Sequence, residues 1–164
     1  MIDFYIQQYG KRLYGLCLSL CGNRFEADDL YQDTWLRVLK SISQYDRSRE
    51  FEPWLTRICV NTHRNTLRRI ARSPLLRFQS NEEKDTLLES VPAPEMTDYS
   101  ALHAAVDRLP EKLRLTVILF YFAQMDTVST ARVLGIPPGT VKSRLSKARN
   151  QLKEALAHEA DLQF

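Results

Sequence analysis

Gly135-Ile136-Pro137-Pro138-Gly139-Thr140-Val141-Lys142-Ser143-Arg144-Leu145-Ser146-Lys147-Ala148-Arg149 is the stretch that decides how this chain is read. Gly135 suits the positive-φ residue that closes one helix, and Pro138 can open the next, whose first turn does not need its N–H. A tight turn between two helices follows. On the second helix Val141, Leu145, Ala148 and Leu152 recur at spacings of four, three and four, which puts them on one side as a buried seam. The other side then carries Ser143, Ser146, Lys147 and Asn150, flanked by Thr140, Lys142, Arg144 and Arg149. Groups that can bond base edges are mixed there with cations that can neutralise phosphates, the composition of a helix that enters a DNA groove. A basic helix alone is often only a solvated face. Here the preceding segment supports it: Asp126 can cap a helix whose Val128, Ala131 and Leu134 recur every three residues on the side expected to pack against the second. The pair reads as a helix-turn-helix.

Towards the N-terminus, helical spacing is present at Leu102, Ala105, Val106 and Leu109, breaks at Pro110, and resumes through Leu113, Val117, Ile118 and Phe120 to Phe122. The C-terminal part is therefore expected as four helices. From Ser73 to about Asp98 the chain is polar and acidic, contains Pro74, Pro92 and Pro94, and shows no sustained period except a short helix around Leu87. It reads as a linker. Earlier still, Ile6, Tyr9, Leu13, Leu16, Cys17 and Leu20 follow helical spacing, and Gly22-Asn23 supplies a stop before a second helix starts near Phe25. That second helix places Ala27, Leu30, Tyr31, Thr34, Trp35, Val38 and Ile42 on one broad core side. A polar segment, Ser43 to Glu50, with little to bury, leads into a third helix where Phe51, Trp54, Leu55, Ile58 and Cys59 share a face and Pro53 fits the first turn. No strand-like alternation, hairpin turn or repeat occurs. The expected fold class is all-α, with two small helical modules, residues 1–72 and 99–157, joined by an acidic linker, 73–98.

The 164 residues, 44% of them hydrophobic, can supply a core to each module. Net charge is only +3, but it is unevenly spread: residues 51–77 carry +5, 78–107 carry −6 and 108–156 carry +6. Two basic modules thus flank an acidic connector. No apolar run approaches the roughly 20 residues of a membrane span, and the N-terminus lacks a signal-peptide arrangement, so the expectation is a cytoplasmic protein without membrane insertion. Cys17, Cys21 and Cys59 match neither a disulfide framework nor zinc spacing. Cys17 and Cys21 stand one helical turn apart and are read as buried small hydrophobes rather than a two-thiol site. His63, His103 and His158 complete no ligand set, so no metal and no cofactor is expected. Asp28, Asp29 and Asp33 lack the phosphate loop, nucleophile or ligand cluster that catalysis needs. No catalytic residue is assigned, and the chain is not read as an enzyme.

Two surfaces of the N-terminal module invite function. On the third helix Arg57, Arg64 and Arg68 are separated by seven and four residues and are expected to line the side opposite Trp54 and Ile58, with Asn61 at the stripe's edge and Arg69 and Arg72 extending the charge. On the second helix an outer face of Asp29, Gln32, Asp33, Leu36 and Lys40, with Leu39 at its margin, sets exposed leucine among acids. An apolar centre with a charged rim is how protein interfaces are built.

Taken together, these residues resemble the extracytoplasmic-function group of the sigma-70 family, the promoter-recognition subunits of bacterial RNA polymerase. Ala27-Asp28-Asp29-Leu30-Tyr31-Gln32-Asp33-Thr34-Trp35 and Phe51-Glu52-Pro53-Trp54-Leu55-Thr56-Arg57-Ile58 are similar to the family's region 2. Leu109-Pro110-Glu111-Lys112-Leu113-Arg114 and the Gly135–Arg149 stretch are similar to its region 4. The resemblance implies that Thr140, Lys142, Ser143, Arg144, Ser146, Lys147 and Arg149 serve the −35 element as duplex. It implies that region 2 melts and reads the −10 element, with the family's −10 loop falling on Gln44 to Glu50. Tyr45, Arg47 and Arg49 would then offer stacking and charge to an extruded base, and Arg57, Asn61, Arg64 and Arg68 would hold the strand. Asp29, Gln32, Asp33 and Leu36 would dock on the coiled coil of the polymerase β′ subunit, with β a further partner. An anti-sigma factor, able to hold the protein at the membrane, is expected by family analogy. Two departures stand out: Val128, Ser129 and Thr130 occupy places where the family carries acidic and large apolar residues, and Asn65 stands where an aspartate is common. The rival reading is a helix-turn-helix regulator that binds duplex DNA without docking on polymerase, its N-terminal module only dimerising. The arginine stripe argues against that rival.

Overall fold

The computed structural model describes residues 1–73 and 98–162, with side chains of the second segment described for 101–158. Among the described residues every element is helical: α1 (Ile2–Cys21), α2 (Arg24–Ser41), a single 3₁₀ turn (Ile42–Gln44) and α3 (Phe51–Arg72), then α4 (Asp98–Asp107), α5 (Glu111–Val117), a π turn (Ile118–Phe122), α6 (Thr127–Leu134) and α7 (Pro138–Leu162). The chain divides into two compact units between Pro92 and Ala93. The linker assigned from sequence, apart from its terminal residues, and the short helix expected around Leu87 lie outside the described residues.

In the first unit α1 and α2 form a hairpin that packs on α3. The turn is set by local chemistry. Gly22 adopts φ 76°, a left-handed conformation open to glycine, and its N–H returns 2.9 Å to the Leu18 carbonyl. Asn23 then caps α2, its side-chain oxygen accepting from the Glu26 N–H at 2.9 Å. Leu13, Cys17 and Leu20 of α1, Ala27, Leu30 and Val38 of α2, and Leu55, Cys59 and Val60 of α3 are all buried. Cys17 meets Cys59 rather than Cys21: the two Sγ atoms lie 3.8 Å apart in the core, and Cys21 is half-buried. The hydrogen bond to Cys59, reinforced by burial, pushes the Cys17 thiol well above its ordinary value.

The second unit packs α4, α5 and α6 against α7. Its core joins Val106, Leu109, Leu113, Val117, Ala131, Val141, Leu145 and Ala148, with Leu102, Phe120, Ile136 and Leu152 packed at its edge. Asp126 caps α6 by accepting from the Ser129 N–H at 2.7 Å, a bond that holds its carboxyl below the usual aspartate range. Gly135 ends α6 at φ 69°. Two details depart from expectation. Val128 is 51% exposed, and the residues α6 buries are Thr130, Ala131, Val133 and Leu134. Steps of three residues fall short of a full turn, so Val128 ends about 120° around the helix from Leu134. The apolar run after Pro110 does not continue as one α-helix but widens into the π turn, with the Ala123 N–H bonding the Ile118 carbonyl at 2.9 Å. Gln124 follows at φ 54°.

Among the described residues Thr34, Thr116 and Thr130 are wholly buried. The first two donate to carbonyls one turn back, Thr34 to Leu30 at 2.6 Å and Thr116 to Lys112 at 2.8 Å. The Thr130 hydroxyl has no hydrogen-bond partner among the described residues. Among the described residues no helix is long and apolar enough to cross a membrane, and no group of three or more His, Cys, Asp or Glu side chains is placed to hold a metal.

Candidate nucleic-acid interface

The face of α7 is organised by its seam. With Val141, Leu145 and Ala148 buried and Leu152 half-buried, Lys142, Ser143, Ser146, Lys147 and Asn150 are exposed, and Thr140 and Arg144 are half-buried beside them. Ser143 Oγ donates to the Thr140 carbonyl at 3.1 Å, which leaves its lone pairs outward as acceptors. Arg149 is exposed but engaged: its Nε donates to Tyr121 Oη at 2.6 Å, and its guanidinium carbon stands 5.7 Å from that ring's centroid. Every residue assigned to this face therefore lies on one helix and outside the core.

On α3, Arg57, Asn61 and Arg68 are exposed and Arg64 is half-buried. The expected opposition to Trp54 and Ile58 does not hold; both are half-buried at the margin of the stripe. At 100° per residue Trp54 stands about 60° from Arg57 and Ile58 about 100°, while Leu55 and Cys59 stand about 160° away. Leu55 and Cys59 are the buried residues facing away from the stripe. Trp54 thus lies next to the arginines, a candidate stacking surface that the notion of a purely buried face concealed.

The segment between α2 and α3 is folded. After the 3₁₀ turn, Asp46 organises a tight turn: its Oδ1 accepts from the Ser48 N–H at 3.0 Å and from Ser48 Oγ at 2.7 Å, and its carbonyl accepts from the Arg49 N–H at 3.1 Å. The bonds from Ser48 hold the Asp46 carboxyl below the ordinary range. Tyr45 does have apolar surface to bury. Its ring lies 4.8 Å from Trp54 and edge-on to Phe51 at 5.4 Å, and its hydroxyl donates to the Arg49 carbonyl. Phe51 in turn stacks on Tyr5 at 4.0 Å and contacts Tyr9 at 5.1 Å. Burial in this cluster, with Tyr5, Tyr9 and Asp46 nearby, raises the Tyr45 phenol above its ordinary value. Arg47 reaches Met1 Sδ at 3.2 Å, and Arg49 stands 3.7 Å from Asp46. Both arginines are exposed. Tyr45 is framework for the loop, and the charge the loop offers comes from the arginines.

On α2, Asp29, Gln32 and Asp33 are exposed together with Leu36, at 55%, and Leu39, at 50%. Asp28, adjacent in sequence, is held instead by the Tyr14 hydroxyl at 2.7 Å. An acidic rim around two exposed leucines is what remains on the outside.

Residues 5–73 match the model for Sigma-70 region 2, and residues 99–152 match Sigma-70, region 4. The chain is 34% identical over 161 residues to the ECF RNA polymerase sigma factor SigE of Mycolicibacterium smegmatis, covering 94% of this chain and 61% of SigE. It therefore spans about three fifths of that relative's length. It is 31% identical over 157 residues to the RNA polymerase sigma factor NccH of Alcaligenes xylosoxydans xylosoxydans, covering 92% of this chain and 84% of NccH. Its fold is similar to that of the sigma factor RpoE from Bartonella quintana, solved in complex with the anti-sigma factor NepR, at TM-score 0.73 and 24% identity over 96% of this chain and 98% of that one. Two region models in the right order and a relative matched over most of both lengths lead to one assignment: the chain belongs to the extracytoplasmic-function sigma factors of the sigma-70 family, non-enzymatic factors that direct RNA polymerase to promoters.

Proposed function

We propose that this chain docks on core RNA polymerase through Asp29, Gln32, Asp33 and Leu36 of α2, seated on the coiled coil of β′ with β as a further contact, and reads two promoter elements with separate modules. The working division is residues 1–72 for docking and the −10 element, 73–98 as linker, and 99–157 for the −35 element. The observation that carries this reading is the coexistence, on one three-helix unit, of an acidic leucine-bearing face on α2 and an arginine stripe on α3. Polymerase and single-stranded DNA can then be held at once. A module that only dimerises has no use for the second face.

In this reading Arg57, Asn61, Arg64 and Arg68 follow the backbone of the unpaired strand, while Arg47 and Arg49, exposed on the segment that Tyr45 ties to Trp54, meet the extruded base. Thr140, Lys142, Ser143, Arg144, Ser146, Lys147 and Arg149 engage the −35 duplex, Ser143 and Ser146 at base edges and the cations at phosphates. Strand opening is driven by binding: each unpaired base costs a few kcal/mol, on the order of what stacking and backbone contacts return. The factor works in the bacterial cytoplasm and is restrained by an anti-sigma factor, as the Bartonella neighbour is bound by one; an anti-sigma factor that is itself membrane-bound would hold it at the membrane.

The test is to incubate the purified chain with bacterial core polymerase and random promoter templates. Specific initiation, with selected templates sharing two spaced elements, is the expected result. DNA binding that neither requires nor recruits core polymerase would overturn the proposal in favour of a duplex-binding regulator.

A further inference from the structure

The contact between Arg149 and Tyr121 joins residues 28 apart in sequence, and Tyr121 has no task so far. We infer that Tyr121 is a positioning residue that presents Arg149 to a phosphate of the −35 duplex, an inference that rests on reading α7 as the helix that enters DNA. Three features argue for it. The first is which nitrogen is used. A guanidinium has five N–H donors, and the 2.6 Å bond to Tyr121 Oη takes the one on Nε. Both terminal amino groups remain, the pair whose parallel donors match two phosphate oxygens.

The second feature is the partner's charge. Arg114 is answered by a carboxylate, its Nε 3.7 Å from Glu111. A neutral phenol fixes the Arg149 side chain and leaves its positive charge uncancelled. A long exposed arginine otherwise samples many rotamers, and ordering it on binding costs entropy. The ring adds a surface for the guanidinium, 5.7 Å from centroid to carbon.

The third feature is where Arg149 stands. At 100° per residue it falls with Lys142 and Lys153 in a strip about 40° wide along one flank of α7, roughly 16 Å from end to end. All three are exposed. Cations in a row on a flank, beside rather than at the centre of the Ser143 and Ser146 face, suit a phosphate backbone. Tyr121 is delivered to that flank by the π turn at Ile118–Phe122, a local feature that helices often carry at functional positions.

The experiment uses holoenzyme assembled from bacterial core polymerase and the full chain, on a duplex promoter selected from random templates. Affinity is measured across a series of KCl concentrations for wild type, Tyr121→Phe, Arg149→Ala and the double variant. Tyr121→Phe keeps the ring and deletes only the acceptor oxygen, and the site is exposed, so folding is not at stake. Arg149→Ala is expected to weaken binding and lower the salt slope by about one unit. Tyr121→Phe is expected to weaken it about two- to tenfold, as loss of one hydrogen bond would. In the Arg149→Ala background the tyrosine change should add nothing, a dependence that a merely structural residue would not show. With Arg149→Ala weakened, the positioning role alone is overturned if Tyr121→Phe binds like wild type, binds more tightly, or weakens both backgrounds equally. Wild-type affinity and slope in Arg149→Ala would overturn the phosphate role of Arg149 and the positioning role together.

Discussion

Thr130→Val should stabilise the C-terminal unit, and the contrast with Thr116 says by how much. Thr130 is fully buried on α6 with its hydroxyl unpartnered, whereas Thr116 in the same unit donates to the Lys112 carbonyl at 2.8 Å. Burying a hydroxyl without a hydrogen bond costs about 1–3 kcal/mol. Valine has nearly the same volume, so neither cavity nor clash offsets the gain. In a unit of this size 1 kcal/mol moves the midpoint by about 4–8 °C, so scanning calorimetry of the full chain should show the C-terminal transition rise by at least about 4 °C. Thr116→Val, which deletes a bond that is made, should be neutral or destabilise the unit by up to about 1.5 kcal/mol, with an unchanged or lower midpoint. Promoter use at low temperature should not change, because neither residue reaches the outer face of α7. A midpoint for Thr130→Val at or below wild type would show that the hydroxyl is satisfied after all, most simply by turning to the Asp126 carbonyl, and the reasoning would fail.

Asp29→Lys with Asp33→Lys should abolish capture by core polymerase while helical circular dichroism stays at the wild-type level; survival of the pull-down would move the docking face elsewhere. Lys142→Ala and Lys147→Ala should each lower promoter use and cut the salt slope by about one unit, whereas Ser143→Ala should change base preference; unchanged behaviour of all three would remove the reading face. Replacing residues 46–50 by Gly/Ser while keeping Tyr45 should spare folding and core binding and lose strand opening, read as permanganate reactivity near the start site. Tyr45→Ala should instead destabilise the N-terminal unit by about 1–3 kcal/mol through its two ring partners, seen as a lower melting point. Asp126→Asn should flatten the acid limb of C-terminal stability. The aspartate's folded value is lowered, so its contribution is present above the ordinary 3.8 and is lost as pH falls from there through the folded value. An unchanged acid limb in thermal melts would remove the cap from that role.

What could be read from sequence was local chemistry. Gly22-Asn23, Asp126 and Gly135 act through their own backbones and near neighbours, so the turns they make were legible from residue type alone. The seam of α7 was equally legible, since a four-three-four spacing repeats with the helix. Val128 departs from the expected face because a constant step of three drifts around the cylinder, and Trp54 and Ile58 because a face broad enough to hold them reaches round to the edge of the stripe. Tyr45 with Trp54, Cys17 with Cys59 and Tyr121 with Arg149 were hidden for another reason. Each pairs side chains from different elements, and periodicity carries no information about which neighbour a helix face will meet. The segment between α2 and α3 therefore reads as merely polar in sequence, when one aromatic in it, Tyr45, ties it to the core.

The thiols packed between α1 and α3 give the N-terminal unit a built-in clock. A thiol alkylates as thiolate, and Cys17, bonded to Cys59 and shut from water, has almost none while the helices stay together. Labelling by an excess of iodoacetamide must then wait for α1 and α3 to part, so its rate counts openings of the unit, as amide exchange does, but at one chosen seam. Partner binding that clamps α2 should slow the count without touching either sulfur. The half-buried Cys21, at the end of α1, need not wait for that parting, so its labelling supplies the reference against which the seam is timed.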